Sequence, residues 1–216
     1  MMNYFNLIFS KNSILRSLQS IEFKNIKLQG SCLELGANKD IYRNFLKPNS
    51  KNYVTIFSNI EKKNKAFLYL DLQKKINHNI KYDNVIAYNV LEHVYDIDIA
   101  LKNINFLLKK NGRIYGSTPF IYRIHGAPDD YSRYSKSFLE IKLKNNKFED
   151  VKIKEIGLGP FLASFSLLRG CFKYLPIIYN IILFLFILID KFLIFFMKND
   201  PKIIFPIGYI FSAKKK

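Results

Sequence analysis

The densest group of chemically active side chains lies in residues 119–135, PFIYRIHGAPDDYSRYS. His125 has an ordinary pKa near neutrality, which suits a general base. The forked donors of Arg133 match a carboxylate or phosphate. A surface loop rarely needs so many ionisable and aromatic groups, so the segment is predicted to line a substrate pocket. A simpler alternative is that Asp130 and Arg133 form an ion pair that only braces the loop. The groups concerned are Tyr122, Arg123, His125, Asp129, Asp130, Tyr131, Arg133 and Tyr134.

Alternating strands and helices must position this loop. Apolar runs predict strands at 31–37, 52–58, 66–72, 82–91, 113–120, 149–157 and 206–214. Helical patterns fit 39–46, 96–112, where Gly112 would cap the helix, and 135–148, which begins with a serine cap. This alternation indicates an α/β fold, in which ligands bind beyond the carboxyl ends of the strands.

Length and composition set the broad class of protein. The chain has 216 residues, 49% of them hydrophobic, which fits one folded domain over 1–216. The two cysteines, Cys32 and Cys171, are far apart and indicate neither a zinc site nor a disulfide scaffold, so a reducing cytoplasm is the default expectation. The N-terminus lacks the basic lead-in and cleavage site of a secretory signal. The net charge of +17 would attract a polyanion, although a bias towards Lys, Asn and Ile accounts for much of it.

Several segments carry a family resemblance. LELGAN (33–38), LDL (70–72) and DNVIAYNVLEHV (83–94) together resemble class I S-adenosylmethionine-dependent methyltransferases of the type 11 kind. KKNGRIYGSTP and the terminal GYIFSAKK fit the fifth and last strands of that family. The resemblance covers roughly 28–160 and 204–214. It implies a Rossmann-like sheet of seven strands, the last antiparallel, with helices on both faces. Residues 1–28 are predicted to form an N-terminal helical extension outside the resemblance.

The resemblance also implies cofactor-binding positions for S-adenosyl-L-methionine. The strand that usually ends in a ribose-binding carboxylate ends here in Ser58-Asn59, so Asn59 is the expected ribose contact unless Glu61 reaches back. A dehydrogenase is excluded by the missing G-x-G-x-x-G loop. The other expected positions are Glu34, Gly36, Ala37 and Asn38 at the methionine end, Asp71 and Leu72 at the adenine, and Asn89 and Val90 along the cofactor.

Glu92 and His93 are side chains that metal ions use as ligands. Some methyltransferases of quinone synthesis hold a divalent ion with such a pair and a preceding carboxylate. The matching position here is Asn89, so the third ligand is missing. The favoured interpretation is that Glu92 caps a turn and His93 packs beside the cofactor, and no metal is predicted.

Methyl transfer gives the 119–135 loop its expected roles. The acceptor lone pair must lie in line with the methyl group, and a hydroxyl acceptor also needs a base. His125 is the predicted base, Arg133 would bind an anionic group, and Asp129 or Asp130 would bind sugar hydroxyls. Tyr131 completes the predicted catalytic set. A similar loop in a subgroup associated with surface polysaccharides suggests a sugar acceptor.

Residues 160–198 form an apolar insertion, in which 177–197 is long enough to span a bilayer. A single crossing would separate the sixth strand from the last strand, which pair in the resembled fold. Asn180, Lys191 and Lys198 lie on one side of a helical wheel, with Tyr179 and Asp190 nearby. These features favour a helix lying in the interface of an anionic membrane, peripheral to its inner face. A helix buried against the domain or a dimer partner is the alternative.

The sequence therefore predicts a membrane-associated methyltransferase that acts on a small-molecule or lipid-linked acceptor. One alternative is a fold that has lost turnover and serves as a membrane-bound scaffold, motivated by the missing ribose carboxylate. A nucleic-acid methyltransferase is disfavoured, because 89–92 reads Asn-Val-Leu-Glu and no basic recognition domain is present.

Overall fold

A single mixed sheet organises the chain, with strand order β2-β1-β3-β4-β6-β5. The computed structural model describes residues 4–8, 10, 12–23, 26, 28–36, 54–58 (backbone only), 69–126, 129–172 and 174–216. The strands are β1 (Ser31–Leu35), β2 (Val54–Ser58), β3 (Tyr82–Tyr88), β4 (Leu108–Pro119), β5 (Phe148–Ile156) and β6 (Gly208–Lys215). β1 to β4 run parallel, and β6 inserts antiparallel between β4 and β5.

The predicted α/β class and the antiparallel last strand are confirmed, whereas seven strands are not seen. Six strands lie within the described part of the chain. The predicted strand at 66–72 is not a strand over Tyr69–Leu72, and its first three residues fall outside the described residues, as does the predicted helix at 39–46. Single-domain organisation over 1–216 stays a prediction.

The helices are α1 (Ile14–Phe23), α2 (Ile97–Leu107), α3 (Lys136–Asn145), α4 (Pro160–Leu168), α5 (Pro176–Leu193) and α6 (Pro201–Ile204), with 3₁₀ turns at Tyr4–Leu7, Leu91–His93 and Arg169–Phe172. Asp96 caps α2 by accepting hydrogen bonds from the backbone N–H groups of Asp98 and Ile99, and Ser135 caps α3. The sequence placed the end of α2 five residues too late. Asn111 is left-handed (φ 63°). Gly112 lies within β4, where a Cβ atom would come within 3.1 Å of the Asp83 carbonyl oxygen, so this glycine permits close packing of β4 and does not cap a helix.

Two of the three apolar clusters among the described residues hold most of these layers together. The larger one packs α2 and α3 against β1, β3 and β4, and includes Leu33, Val85, Leu101 and Leu139. The other unites α1, α4 and α5 beside the last strands, through residues such as Leu18, Leu162 and Leu183. The predicted apolar insertion is thus two helices that share a core with the N-terminal extension. Burial of these side chains supplies about 25 cal/mol per Å² of apolar surface, which is the main source of stability.

Candidate active site

The loop after β4 lies against the turn that follows β3. The backbone N–H groups of Tyr131 and Ser132 donate to the Glu92 carbonyl at 2.8 and 3.3 Å. The Tyr134 hydroxyl donates to the Leu91 carbonyl at 3.0 Å. Because β3 and β4 are neighbouring parallel strands, their carboxyl ends meet at one edge of the sheet. The chemically active loop and the LEH turn therefore form one site.

Asp130 organises the loop from within. Its carboxylate accepts hydrogen bonds from both terminal nitrogens of Arg133 and, at 2.8 Å, from the backbone N–H of His125. The paired guanidinium holds the pKa of Asp130 well below its usual range, against the opposing effect of its burial. The ion pair foreseen as an alternative is confirmed, so Asp130 is a structural residue of this loop.

Glu92 lies at the base of the site and is fully buried. Neither carboxylate oxygen has a hydrogen-bond partner among the described residues, and burial raises the pKa of Glu92 to about 8. Glu92 Oε1 lies 3.8 Å from His93 Nε2 and 3.9 Å from His125 Nε2. Burial, together with the neighbouring His93, lowers the pKa of His125. The cluster unites two loops that are more than thirty residues apart.

The turn after β1 approaches the end of β3 closely. Gly36 has a φ of +64°, and a Cβ atom added to it would lie 2.9 Å from Val90 Cγ2. A side chain at this position would be strained by the backbone and crowded by its neighbour. Glycine is therefore required here by both conformation and packing. The contact brings together two of the predicted cofactor-binding positions.

Asn89 ends β3 in a left-handed conformation with φ 51°. Its backbone N–H donates to the Ser117 carbonyl, and its side-chain amide exchanges hydrogen bonds with Gln19 of α1 at 2.7 and 3.1 Å. The Gln19 amide also donates to Ser117 Oγ at 3.0 Å. This network joins the N-terminal helix to the tips of β3 and β4.

A sequence profile described as "Methyltransferase domain" matches residues 10–152, about two thirds of the chain. The chain belongs to the class I S-adenosylmethionine-dependent methyltransferases. No curated protein sequence matches this methyltransferase. The resemblance inferred from the β1 and β3 motifs is confirmed, and a sugar-associated subgroup stays a prediction.

Solved structures share the fold at low sequence identity. The methyltransferase aligns with a SAM-dependent methyltransferase from Archaeoglobus fulgidus at 15% identity and a TM-score of 0.53, covering 93% of this chain and 94% of that one. It aligns with Burkholderia thailandensis 1,6-didemethyltoxoflavin-N1-methyltransferase at 12% identity and a TM-score of 0.56, covering 97% of this chain and 81% of that one. It also aligns with Haemonchus contortus phosphoethanolamine N-methyltransferase 2 in complex with S-adenosyl-L-methionine. That alignment has 14% identity and a TM-score of 0.55, and it covers 98% of this chain and 56% of that one. The chain thus spans little more than half of the worm enzyme. The inactive-scaffold alternative finds no support in these likenesses.

The described residues fit an S-adenosyl-L-methionine site at the tips of β1 and β3. Glu34 is buried in β1 beside Ile86 of β3, and Gly36 and Val90 adjoin at the crevice. Asp71 forms a local turn, accepting a hydrogen bond from the Gln73 backbone N–H and pairing with Lys74. Three predicted positions (Ala37, Asn38 and Asn59) and Glu61 lie outside the described residues.

Two cofactor predictions need adjustment. Leu72 is 7% exposed and packs in the larger apolar cluster of the methyltransferase, so its side chain serves the core. The Asn89 amide is engaged by Gln19 and Ser117, neither of which the sequence suggested. A cofactor contact by either residue remains a prediction.

The predicted catalytic residues divide into two groups. His125 faces Glu92. Asp130 binds both terminal nitrogens of the Arg133 guanidinium. Binding of the acceptor by Arg133 therefore stays a prediction. Asp129 and Tyr131 are exposed and hydrogen bonded to each other at 3.1 Å, and Tyr131 also packs edge-on against Tyr95. Asp129 and Tyr131 are therefore placed where an incoming molecule can reach them.

The sequence did not reveal that Glu92, His93 and His125 form a cluster. The resemblance to methyltransferases of quinone synthesis placed the third ligand three residues before Glu92, where this chain has Asn89. The partner comes instead from the loop of the adjacent strand. The order of the strands could have indicated this partner, because the loops after β3 and β4 meet when these two strands are neighbours in the sheet.

Proposed function

We propose that this methyltransferase methylates a small-molecule or lipid-linked acceptor at the surface of an anionic membrane, on its cytoplasmic side. The observation that carries the proposal is the docking of the 119–135 loop on the turn after β3, next to the cofactor edge of the sheet. This docking supports the proposal that His125, Asp129 and Tyr131 lie on the side from which an acceptor would approach.

The residues of the site have separate tasks in such a reaction. S-adenosyl-L-methionine, when bound, supplies an electrophilic methyl group on a positively charged sulfur. Glu34, Gly36 and Val90 would form the protein wall behind it. Asp129 and Tyr131 would orient an acceptor bearing hydroxyl groups, as a sugar does, and His125 stands ready to receive its proton.

Membrane association is inferred from the outward face of α5. Its buried side consists of Leu183, Ile187 and Asp190, which face the domain. Its exposed side is wholly apolar: Ile177, Ile178, Ile181, Phe184, Leu185, Leu188, Ile189 and Phe192. Phe195 and Phe196 continue this surface at 85% and 72% exposure. Apolar patches of this kind mark interaction surfaces.

The polar residues of α5 do not all point to headgroups, as the sequence suggested. The Asp190 carboxylate is buried and accepts hydrogen bonds from the backbone N–H groups of Phe161 and Leu162 at 3.0 and 2.7 Å, which caps α4. Tyr179 stacks on Phe165 within the domain. The helix therefore presents to the outside an apolar face broader than expected.

A crossing of the membrane conflicts with the pairing of the strands. Pro176–Leu193 is long and apolar enough to span a bilayer, with a mean hydropathy of 2.0. However, β5 before the helix and β6 after it are hydrogen-bonded neighbours, so both must lie on one side. A helix lying in the interface meets this condition, and the net charge of +17 favours anionic lipid.

The apolar helices also contact the acceptor loop. Ile121 and Tyr122 pack against the cluster that contains Leu162 and Leu183, and Ser166 Oγ hydrogen bonds to the Ile121 carbonyl at 3.3 Å. A lipid-linked acceptor held at the membrane would thus approach the loop from the α4–α5 side. This continuity supports a lipid-linked acceptor over one that diffuses freely.

Flotation with liposomes tests the membrane part. The triple variant Ile181→Asn, Leu185→Asn, Phe192→Ser changes only exposed side chains, with exposures of 55%, 49% and 62%. It is expected to remain in the soluble fraction when vesicles contain anionic lipid. A matched control, Ile80→Asn, Phe106→Ser, Ile141→Asn, removes comparably exposed residues elsewhere (55%, 45% and 58%) and should float like the unchanged chain. Equal flotation of both triple variants would reject a membrane role for α5.

Transfer of labelled methyl groups tests the activity. The purified chain is incubated with methyl-labelled S-adenosyl-L-methionine and an envelope extract of the host, and label is measured in the lipid-soluble and aqueous fractions. We expect label in the lipid fraction, none with His125→Ala, and undiminished label with His78→Ala, since His78 hydrogen bonds to Tyr82 away from the site. His125→Ala should still bind the cofactor. Full transfer by His125→Ala would reject this account of the acceptor site.

A further inference from the structure

Three side chains that can each supply an electron pair converge in the site, and the buried carboxylate among them has no hydrogen-bond partner in the described part of the chain. Glu92 is entirely buried, and both of its oxygens lack a hydrogen-bond donor among the described residues. Leaving a buried carboxyl group unsatisfied costs free energy that proteins normally avoid. The nearest polar atoms are the Nε2 atoms of His93 and His125, at 3.8 and 3.9 Å, which are too far for hydrogen bonds.

The distances suit a shared ion better than direct contacts. Bonds from a divalent transition metal to imidazole nitrogen or carboxylate oxygen are about 2.0–2.2 Å, so two ligands of one ion lie no more than about 4.3 Å apart. Both carboxylate–imidazole distances fall below this limit. All three donor atoms lie within 4.8 Å of one another, so the two imidazoles need to close by about 0.5 Å or less.

The second nitrogen of each imidazole faces an oxygen. His93 Nδ1 lies 2.5 Å from the Asp129 carbonyl, to which it donates, so its Nε2 carries the lone pair that points towards Glu92. His125 Nδ1 lies 3.3 Å from Asp130 Oδ2, an ion-pair distance without hydrogen-bond alignment. Metal-binding histidines typically turn their second nitrogen towards a carbonyl or carboxylate in this way.

We propose that Glu92, His93 and His125 bind a single divalent transition-metal ion. Two imidazoles and one carboxylate match zinc, iron, manganese or cobalt better than magnesium or calcium, which prefer oxygen ligands alone. Glu92 forms the buried floor of the site. While the ion is bound, His125 acts as one of its ligands, so the proton-accepting role of His125 belongs to the metal-free chain. The histidine side chains are 14% and 28% exposed and mark the side on which the ion meets solvent.

Three protein ligands leave coordination positions open towards that side. These positions accept an oxygen atom of the acceptor, a hydroxyl or carboxylate, which would be oriented beside Asp129 and Tyr131; this role for the ion rests on the proposed function, whereas ion binding itself does not. The class of acceptor is thereby narrowed to molecules with an exposed oxygen donor.

Binding of Co²⁺ to the metal-free full-length chain tests the site directly, because bound cobalt is visible in its absorption spectrum. A Cys171→Ser background removes the exposed thiol as a competing ligand. We expect one Co²⁺ per chain, displaced by Zn²⁺, and an affinity lowered about 100-fold or more in Glu92→Gln, His93→Gln and His125→Gln. His78→Ala, which removes the only other histidine, should bind cobalt unchanged.

Thermal unfolding of each variant in the presence of a chelator checks that the fold is intact, and Zn²⁺ should raise the melting temperature of the unchanged chain but not of Glu92→Gln. The proposal is overturned if the unchanged chain binds cobalt no more tightly than Glu92→Gln, or if both histidine variants keep full affinity. Cobalt binding with no methyl transfer would leave the metal site standing and reject the proposed function. Methyl transfer by a chain that binds no metal would reject the metal site and leave the proposed function standing.

Discussion

Gln19 and Asn89 face each other through their side-chain amides, and each donates one hydrogen bond to the other. Gln19 is fully buried on α1, whereas Asn89 ends β3 in a left-handed conformation. The N-terminal helix therefore holds the turn in which the predicted cofactor contacts of β3 begin. Such a paired amide has value because it satisfies two polar groups at once where water has little access.

Gln19→Ala should loosen this turn. The substitution removes the hydrogen bonds that join Gln19 to the Asn89 amide and to the Ser117 hydroxyl, which is expected to cost about 1–3 kcal/mol of folding stability. Cofactor affinity, measured by calorimetric titration with S-adenosylhomocysteine, should fall as well. Ser20→Ala on the same helix is the control, since the Ser20 hydroxyl donates only to the Ser17 carbonyl within α1. Unchanged affinity in Gln19→Ala would show that α1 does not support the cofactor edge.

Gly36→Ala tests the turn after β1. A non-glycine residue in the left-handed region costs about 1–2 kcal/mol, and the new methyl group would meet Val90 at 2.9 Å. We expect lower stability and weaker cofactor binding, because relaxation of the strain would move the turn. The double variant Gly36→Ala, Val90→Ala removes the crowding but not the backbone strain, so it should recover only part of the loss. Gly170→Ala, where a Cβ meets nothing within 4 Å, should leave binding intact. Full recovery in the double variant would mean that the backbone conformation is unimportant.

Asp98 should make the free energy of unfolding depend on pH in the acidic range. Hydrogen bonds from Lys142 and from Asn146 lower the pKa of Asp98 below its ordinary value of 3.8. The unfolded chain then binds a proton at a higher pH than the folded chain, so the contribution is present above about pH 3.8 and is lost as the pH falls through the folded value. Because the pair is partly exposed, we expect an effect of at most about 1 kcal/mol.

This prediction is checked by measuring the melting temperatures of the unchanged chain and of Asp98→Asn from pH 6 to pH 2.5, in steps of roughly half a pH unit. The difference in melting temperature between the two proteins should be widest at pH 6 and should close in acid. Glu140→Gln, which breaks a fully exposed pair with Lys144, serves as the comparison and should show little gap at any pH. A constant gap for Asp98→Asn would contradict the assigned cause.

Asp190→Ala should detach the two apolar helices from each other. It removes the acceptor for the backbone N–H groups of Phe161 and Leu162 and is expected to destabilise the fold by about 1–3 kcal/mol. Asp190→Asn keeps an acceptor oxygen and removes the cost of burying a charge, since burial raises the pKa of Asp190. The asparagine variant should therefore lose less stability than the alanine variant, although its amide nitrogen cannot accept one of the two backbone hydrogen bonds. Equal losses in urea denaturation of both variants would show that the charge itself is required.

The sequence alone determined the class of fold and the family. Alternating apolar runs and capped helices are local signals, and the Gly36 turn and the NVLEHV segment follow strands that any reader of hydrophobic periodicity would find. Ser135 caps its helix as the sequence predicts, because capping requires only a few neighbouring residues.

The tertiary structure alone decided the partners of the reactive groups. The end of α2, the burial of Asp190 against α4, the Gln19–Asn89 pair and the meeting of Glu92 with His125 all depend on contacts between residues far apart in the chain. No spacing rule predicts such contacts, because they follow from the order of strands in the sheet and from which helix face finds a core to cover. Residue types therefore indicated which groups could react, and the fold decided which of them meet.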